Sequence, residues 1–118
     1  MGRRQPHSEV LRTFATRVAR GLFLESLKLG DIDHPILATE VRLIAMAKSK
    51  LQEHLLATMG AEEMLRSRPD IESQIRRIAK GWIRRQAADG YDLSDTLKKI
   101  DESAFEDLFQ IPTSPIVN

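Results

Sequence analysis

The sequence contains no cysteine. Without thiols the chain cannot form a disulfide, bind a metal through thiolates or use a cysteine nucleophile, and it suits a reducing compartment. It also lacks any apolar run near the roughly 20 residues that a membrane-spanning helix needs. No apolar signal-peptide core follows the charged N-terminus. These absences predict a cytoplasmic protein that does not interact with membranes.

Motifs of known catalytic and metal sites are absent as well. The chain has no glycine-rich phosphate loop, no H-E-x-x-H and no G-x-S-x-G. Its histidines, His7, His34 and His54, fall on different predicted elements, and none is paired with another at a spacing of three or four residues. We therefore predict a protein that is not an enzyme, with no catalytic residues, no metal ligands and no cofactor.

Size and charge are those of one small globular domain. A chain of 118 residues buries one hydrophobic core, and 30% charged with 42% apolar residues argue against extensive disorder. The net charge of +1 names no partner by itself. Its distribution is uneven, because residues 1–30 carry six Arg or Lys and two Asp or Glu, whereas residues 89–118 carry two Lys and seven Asp or Glu. The chain is basic at its start and acidic at its end.

Apolar spacing predicts helices throughout and strands nowhere. Stripes with steps of three and four residues predict three main helices, over 9–29, 35–59 and 69–89, followed by two short amphipathic segments, at 92–100 and 101–111. The expected fold is an all-α antiparallel bundle of three main helices with one or two short C-terminal helices.

Capping and turn residues set the expected boundaries. Ser8 is a suitable helix N-cap, and Ser67 followed by Asp70 resembles a capping box with Asp in place of Glu. Glycines are expected to end or interrupt the helices at Gly30, Gly60 and Gly90. The predicted limits are a flexible N-terminus at 1–7, a single helical domain at 8–111 and an extended tail at 112–118.

The third main helix carries the only tryptophan and the densest group of arginines. Its apolar residues step by four, three and four, so a helix places on one face Ile71, Ile75, Ile78 and Trp82. We expect this face to lie in the core. The opposite face carries the candidate residues for binding a partner or a nucleic acid: Arg76, Arg77, Lys80 and Arg84.

Three interpretations of this basic face stay open. The cations face solvent or pair with the protein's own acidic C-terminal segment, they bind an acidic protein, or they bind the phosphates of a nucleic acid together with the basic N-terminus. Phosphate binding would be salt-sensitive and largely independent of base sequence. Because Trp82 is assigned to the core, no aromatic platform for stacked bases accompanies the cations.

The acidic C-terminal segment is the second candidate contact surface. Its apolar residues at helical spacing beside acids are typical of a segment that docks into a partner's groove. The candidate docking residues are Phe105, Asp107, Leu108 and Phe109. The alternative is that the apolar side chains among them close the protein's own core.

Two features leave room for a second copy of the chain. The end of the first helix is apolar nearly all round, and the second helix is longer than a minimal bundle needs. The apolar stripe of the second helix runs through Leu37, Val41, Ile44, Leu51 and Leu55. Lys48 interrupts this stripe, so its ammonium either reaches solvent or meets a carboxylate across an interface, from Glu25 or the C-terminal segment.

The helix pattern and a single W-I step run through SEVLRTFATRVARGLF, IESQIRRIAKGWIRRQ and DLSDTLKKI. In these respects the chain resembles FlaF-type flagellin regulators over most of its length. The R-R-L-W segment of those proteins is replaced here by RLIAMAKSK. The resemblance implies a non-enzymatic protein that binds another protein.

These observations predict a small non-catalytic adaptor, chaperone-like or regulatory protein that acts by binding another protein. The alternative is a nucleic-acid-binding regulatory protein that uses the basic face of residues 69–89 and the basic N-terminus. A FlaF-like flagellin regulator is the third interpretation. Homodimer formation stays open.

Overall fold

A computed structural model describes residues 6–26 and 35–110, with side chains over 9–26 and 38–110. These residues form four α-helices and one 3-10 turn, and no strand: α1 (Pro6–Ser26), α2 (Pro35–Arg66), α3 (Arg68–Ala87), α4 (Ser94–Asp101) and η1 (Glu106–Phe109). The three long helices pack against each other and α4 is the short C-terminal helix. The predicted all-α bundle is confirmed.

Helix α1 is the central element of the bundle. It packs against both α2 and α3, whereas α2 and α3 contact each other at few positions. Helix α4 packs on α3 and α1, and η1 packs on α2. The larger core cluster joins the three long helices to η1 and includes Leu11, Phe14, Leu51, Leu55, Ile71, Ile75, Leu108 and Phe109. A smaller cluster joins α1, α3 and α4.

The first helix begins earlier than predicted. It starts at Pro6, not at residue 9 after a Ser8 cap, so the folded region includes residues assigned to the flexible N-terminus. Proline suits the first helical turn because its φ is already helical and its missing N–H has no partner there. The predicted end of this helix near Gly30 and the predicted tail at 112–118 lie outside the described residues.

The second helix is longer than the predicted 35–59 but is broken where a break was predicted. Gly60 has φ 83° and ψ 165°, which is not helical, and the chain resumes helical geometry up to Arg66. Only Ser67 separates it from α3. Glycine tolerates this backbone conformation because it has no Cβ. The break and the short connection therefore turn the chain from α2 into α3.

The predicted capping box at the start of α3 is wrong. The Ser67 side chain makes no capping hydrogen bond to α3, and its hydroxyl donates instead to the Glu63 carboxylate at 3.2 Å. The Asp70 carboxylate accepts a hydrogen bond from the Gln74 amide at 2.9 Å. Asp is one methylene shorter than the Glu of a capping box, and here it bonds forward along the helix.

Of the one or two short C-terminal helices predicted, one forms, and residues 101–110 do not make a second α-helix. Helix α4 ends at Asp101, and only the 3-10 turn η1 follows. Phe105 lies between them with φ 51°, in the left-handed region, which is incompatible with a continuous α-helix. At the other end of α4, the Ser94 hydroxyl and amide donate to the Asp92 carboxylate, and these bonds lower the pKa of Asp92.

The buried face of α3 is rotated from the predicted one. The buried apolar residues step by four: Ile71, Ile75, Ala79 and Ile83. Ile78 and Trp82 are half-buried at the edge of this row, where the Trp82 ring meets Phe23 edge-on at 5.6 Å. The spacing of large apolar residues predicted Ile78 in the buried row. Its neighbour Ala79 occupies that row instead, because a small side chain suits a close contact between helices better.

This helix phase predicts unequal effects of two isoleucine substitutions. Ile83→Ala lowers the free energy of unfolding by about 2–5 kcal/mol, because a fully buried side chain leaves a cavity. Ile78→Ala lowers it by clearly less, since that side chain is half-buried. Urea unfolding measures both values. Equal losses, or a larger loss for Ile78→Ala, would contradict the phase.

Candidate functional site

The predicted basic face of α3 divides into two parts. Arg76 Nε and Nη2 donate to the Ser103 carbonyl at 3.0 and 2.6 Å, and Lys80 Nζ donates to the Asp101 carboxylate at 2.7 Å. Arg77 and Arg84 are exposed. Two of the four candidate cations therefore contact the protein's own C-terminal segment, which is one of the three interpretations left open by the sequence.

Residues 101–110, called here the C-terminal strap, are held from both α2 and α3. On the α3 side, Arg68 Nη2 donates to the Ala104 carbonyl at 3.4 Å, in addition to the contacts of Arg76 and Lys80. On the α2 side, Lys48 Nζ lies 3.3 Å from the Asp107 carboxylate. The strap thus connects two helices that contact each other at few positions.

Gln52 makes the most extensive contact between α2 and the strap. Its Nε2 lies 2.9 Å from the carbonyl oxygens of Leu108 and Gln110 and 3.3 Å from that of Asp107. An amide nitrogen has two hydrogens, so the three acceptors share them. One side chain of α2 therefore supplies the donor for three backbone carbonyls in and after η1. Without it these carbonyls would need water as their donor.

The four candidate docking residues of the strap are placed unequally. Leu108 and Phe109 are buried in the larger core cluster, and Phe105 packs against it, with its ring 5.9 Å from that of Phe14. The Arg68 guanidinium lies 5.0 Å from the centre of the Phe109 ring. Only Asp107 is exposed, with 69% of its side chain accessible. In this conformation the apolar residues close the protein's own core.

An exposed face of α2 with a single charged residue was missed from the sequence. Val41 is 65% and Met46 57% exposed, although Val41 was assigned to the buried stripe. The exposed residues on this side of the helix, called here the α2 outer face, are Ala38, Val41, Arg42, Ala45, Met46 and Ser49. The face carries a single charge, in a chain that is 30% charged.

Val41 was wrongly assigned to the buried stripe because the row of α2 residues that faces α1 contains an acid. This row steps by four, three and four through Glu40, Ile44, Ala47 and Leu51. Glu40 is buried, with its carboxylate 3.3 Å from Arg20 Nε and 3.5 Å from Arg17 Nη1. A pattern built on apolar residues selects Val41 and cannot recognise a buried glutamate whose charge is balanced by another helix.

Glycine at the same crossing brings α1 and α2 close together. A Cβ placed on Gly21 would lie 2.8 Å from Ile44 Cδ1 and 3.9 Å from Glu40 Cγ. The absence of a side chain there lets Glu40 approach α1 and reach both arginines. Arg17 and Arg20 are partly exposed, so these ion pairs join α1 to α2 at the surface of the bundle.

The described part of the chain holds no candidate metal site and no candidate membrane span. No group of three or more His, Asp or Glu side chains there can hold a metal ion, and no helix there is long and apolar enough to cross a bilayer. No protein-family model matches the chain, and no curated protein or solved structure matches it. Function is therefore inferred from the contacts of the chain itself.

The division of the basic face predicts different roles for adjacent arginines. Arg76→Ala lowers the free energy of unfolding by about 1 kcal/mol, since it removes charged donors from the half-exposed Ser103 carbonyl. Arg77→Ala, the matched control, changes it by less than about 0.5 kcal/mol because Arg77 is exposed. Chemical denaturation measures both. A larger loss for Arg77→Ala would contradict the assignment.

Proposed function

We propose that the chain is a non-catalytic adaptor, chaperone-like or regulatory protein of the cytoplasm, and that it binds another protein through the α2 outer face. The observation that carries the proposal is the exposure of Val41 and Met46 on a face with one charge. Exposed apolar side chains gain about 25 cal/mol for each Å² that a partner removes from water. Two of the four large apolar side chains that are exposed in the described chain, Val41 and Met46, lie on this face.

The residues of the face also suit a particular kind of partner. Ala38, Ala45 and Ser49 have small side chains, which let a second helix approach closely. Arg42 on the face and Lys50 beside it are exposed cations. A helix with an apolar centre and acidic flanks therefore complements the surface. A FlaF-like role would belong to the same class, because it also consists of binding a protein.

Nucleic-acid binding is the second candidate, supported by cations that the strap leaves exposed. Arg77 and Arg84 lie seven residues apart, about two helical turns, and so point the same way from α3. Arg76 and Lys80 are already engaged with the strap. The free part of the predicted basic face is therefore small, which favours the protein-binding function.

One comparison of variants tests both candidates. In capture experiments with the full chain and extract of its source cells, A45E/M46E is expected to lose at least about tenfold of a bound protein, because the new charges would have to be buried. R77E/R84E is the matched control on another exposed surface and is expected to retain that protein. Circular dichroism checks that both variants stay helical.

Three results would contradict this function. Capture unchanged by A45E/M46E would exclude the α2 outer face as the binding surface. A salt-sensitive gel shift abolished by R77E/R84E would favour nucleic acid instead. Light scattering that shows a dimer of the wild-type chain and a monomer of A45E/M46E would show that the face binds a second copy.

A further inference from the structure

The gap between α2 and α3 has the properties of a peptide-binding groove. We propose that it binds an acidic, phenylalanine-containing segment of a partner protein, and that the C-terminal strap is a tethered occupant which such a segment displaces. This site adjoins the α2 outer face, because Lys48, which contacts the strap, follows Ala45 by three residues on the same side of α2. Both surfaces fit a protein that works by binding other proteins.

The contacts to the strap's backbone carry the first step. Arg76, Arg68 and Gln52 donate hydrogen bonds to main-chain carbonyls, those of Ser103, Ala104, Asp107, Leu108 and Gln110. Every peptide presents carbonyls, so these donors do not require the particular side chains of residues 101–110. Donors from the groove walls that bind main chain are a general means of holding an extended or turned peptide.

The side chains of the strap indicate which peptide suits the groove. Leu108 and Phe109 fill its apolar floor beside residues of all three long helices. Lys48 and Lys80, one on each wall, pair with the acids Asp107 and Asp101. The groove therefore selects apolar anchors from a Leu-Phe pair and acids about six residues apart. This charge complementarity commits the proposal to an acidic occupant.

The strap is also fixed in a way that permits its release. Phe105 adopts a left-handed conformation that disfavours a residue with a bulky side chain. The Lys48–Asp107 pair is partly exposed to solvent, and such pairs stabilise little. Helix α1 packs against both α2 and α3, so the strap is not the sole connection between the long helices. A partner segment without the strained residue can replace these contacts while the helices stay packed.

Tethering sets the condition for displacement. A segment joined to its groove by a short connection has an effective concentration on the order of millimolar. A competing peptide added to the wild-type chain must therefore overcome this advantage, and weakening the strap should raise the apparent affinity of the same peptide. Asp101 and Asp107 are exposed residues of the strap, so their charge can be reversed without altering the core.

The test uses the full chain and a fluorescent synthetic peptide with the sequence of residues 100–111. The peptide is expected to bind D101K/D107K at least about tenfold more tightly than it binds the wild-type chain, as measured by fluorescence anisotropy. Adding Q52A to that variant should weaken binding, because the carbonyl donors are lost. R77A is the matched control and should leave binding unchanged, as should M46E, which alters the α2 outer face on the side of the helix away from Lys48.

A second measurement needs no altered protein. The amides of Leu108 and Gln110 donate to carbonyls within the strap, and their hydrogen exchange in the wild-type chain should accelerate when excess peptide is added, while amides of α1 stay protected. Unchanged exchange at millimolar peptide, or binding unaffected by Q52A, would overturn the proposal. Light scattering that shows dimers dissociated by the peptide would overturn it in favour of strap exchange between two copies.

Discussion

The position of α1 between α2 and α3 is the constraint on which the rest of the structure depends. A central helix buries its two sides against its neighbours but keeps those neighbours apart, so apolar residues on their facing sides need another cover. Leu108 and Phe109 provide it. Burial of these two apolar side chains thus explains why an acidic segment returns to the core. The basic residues along α2 and α3 pair with its acids and carbonyls at the edge of the core.

The basic side chains of the long helices pair with acids at two separate places in the fold. Cations of α2 and α3 hold the strap, while arginines of α1 compensate a glutamate buried in α2. Both arrangements join helices of the bundle to each other or to the strap.

The helices could be predicted from the sequence because they depend on the local spacing of apolar residues. The candidate site could not be predicted, since it depends on contacts between residues that are far apart in the chain. The three long helices and the break at Gly60 follow from periodicity and glycine chemistry. Val41 and Ile78 were misplaced because an acid and an alanine occupy the buried rows beside them. Lys48 and Asp107 lie 59 residues apart in the chain, and spacing could name an acid of the C-terminal segment only as one option.

Because α2 bends at Gly60, the width of the gap between α2 and α3 depends on the angle at this break. Ser67 alone joins α2 to α3, so the direction of α2 before Gly60 depends on the backbone at this break. Lys48 and Gln52, which contact the strap, lie twelve and eight residues before Gly60, and a rotation of about 5° there would move them by roughly 1–2 Å. The backbone of a single glycine thus bears on the distance between α2 and the strap.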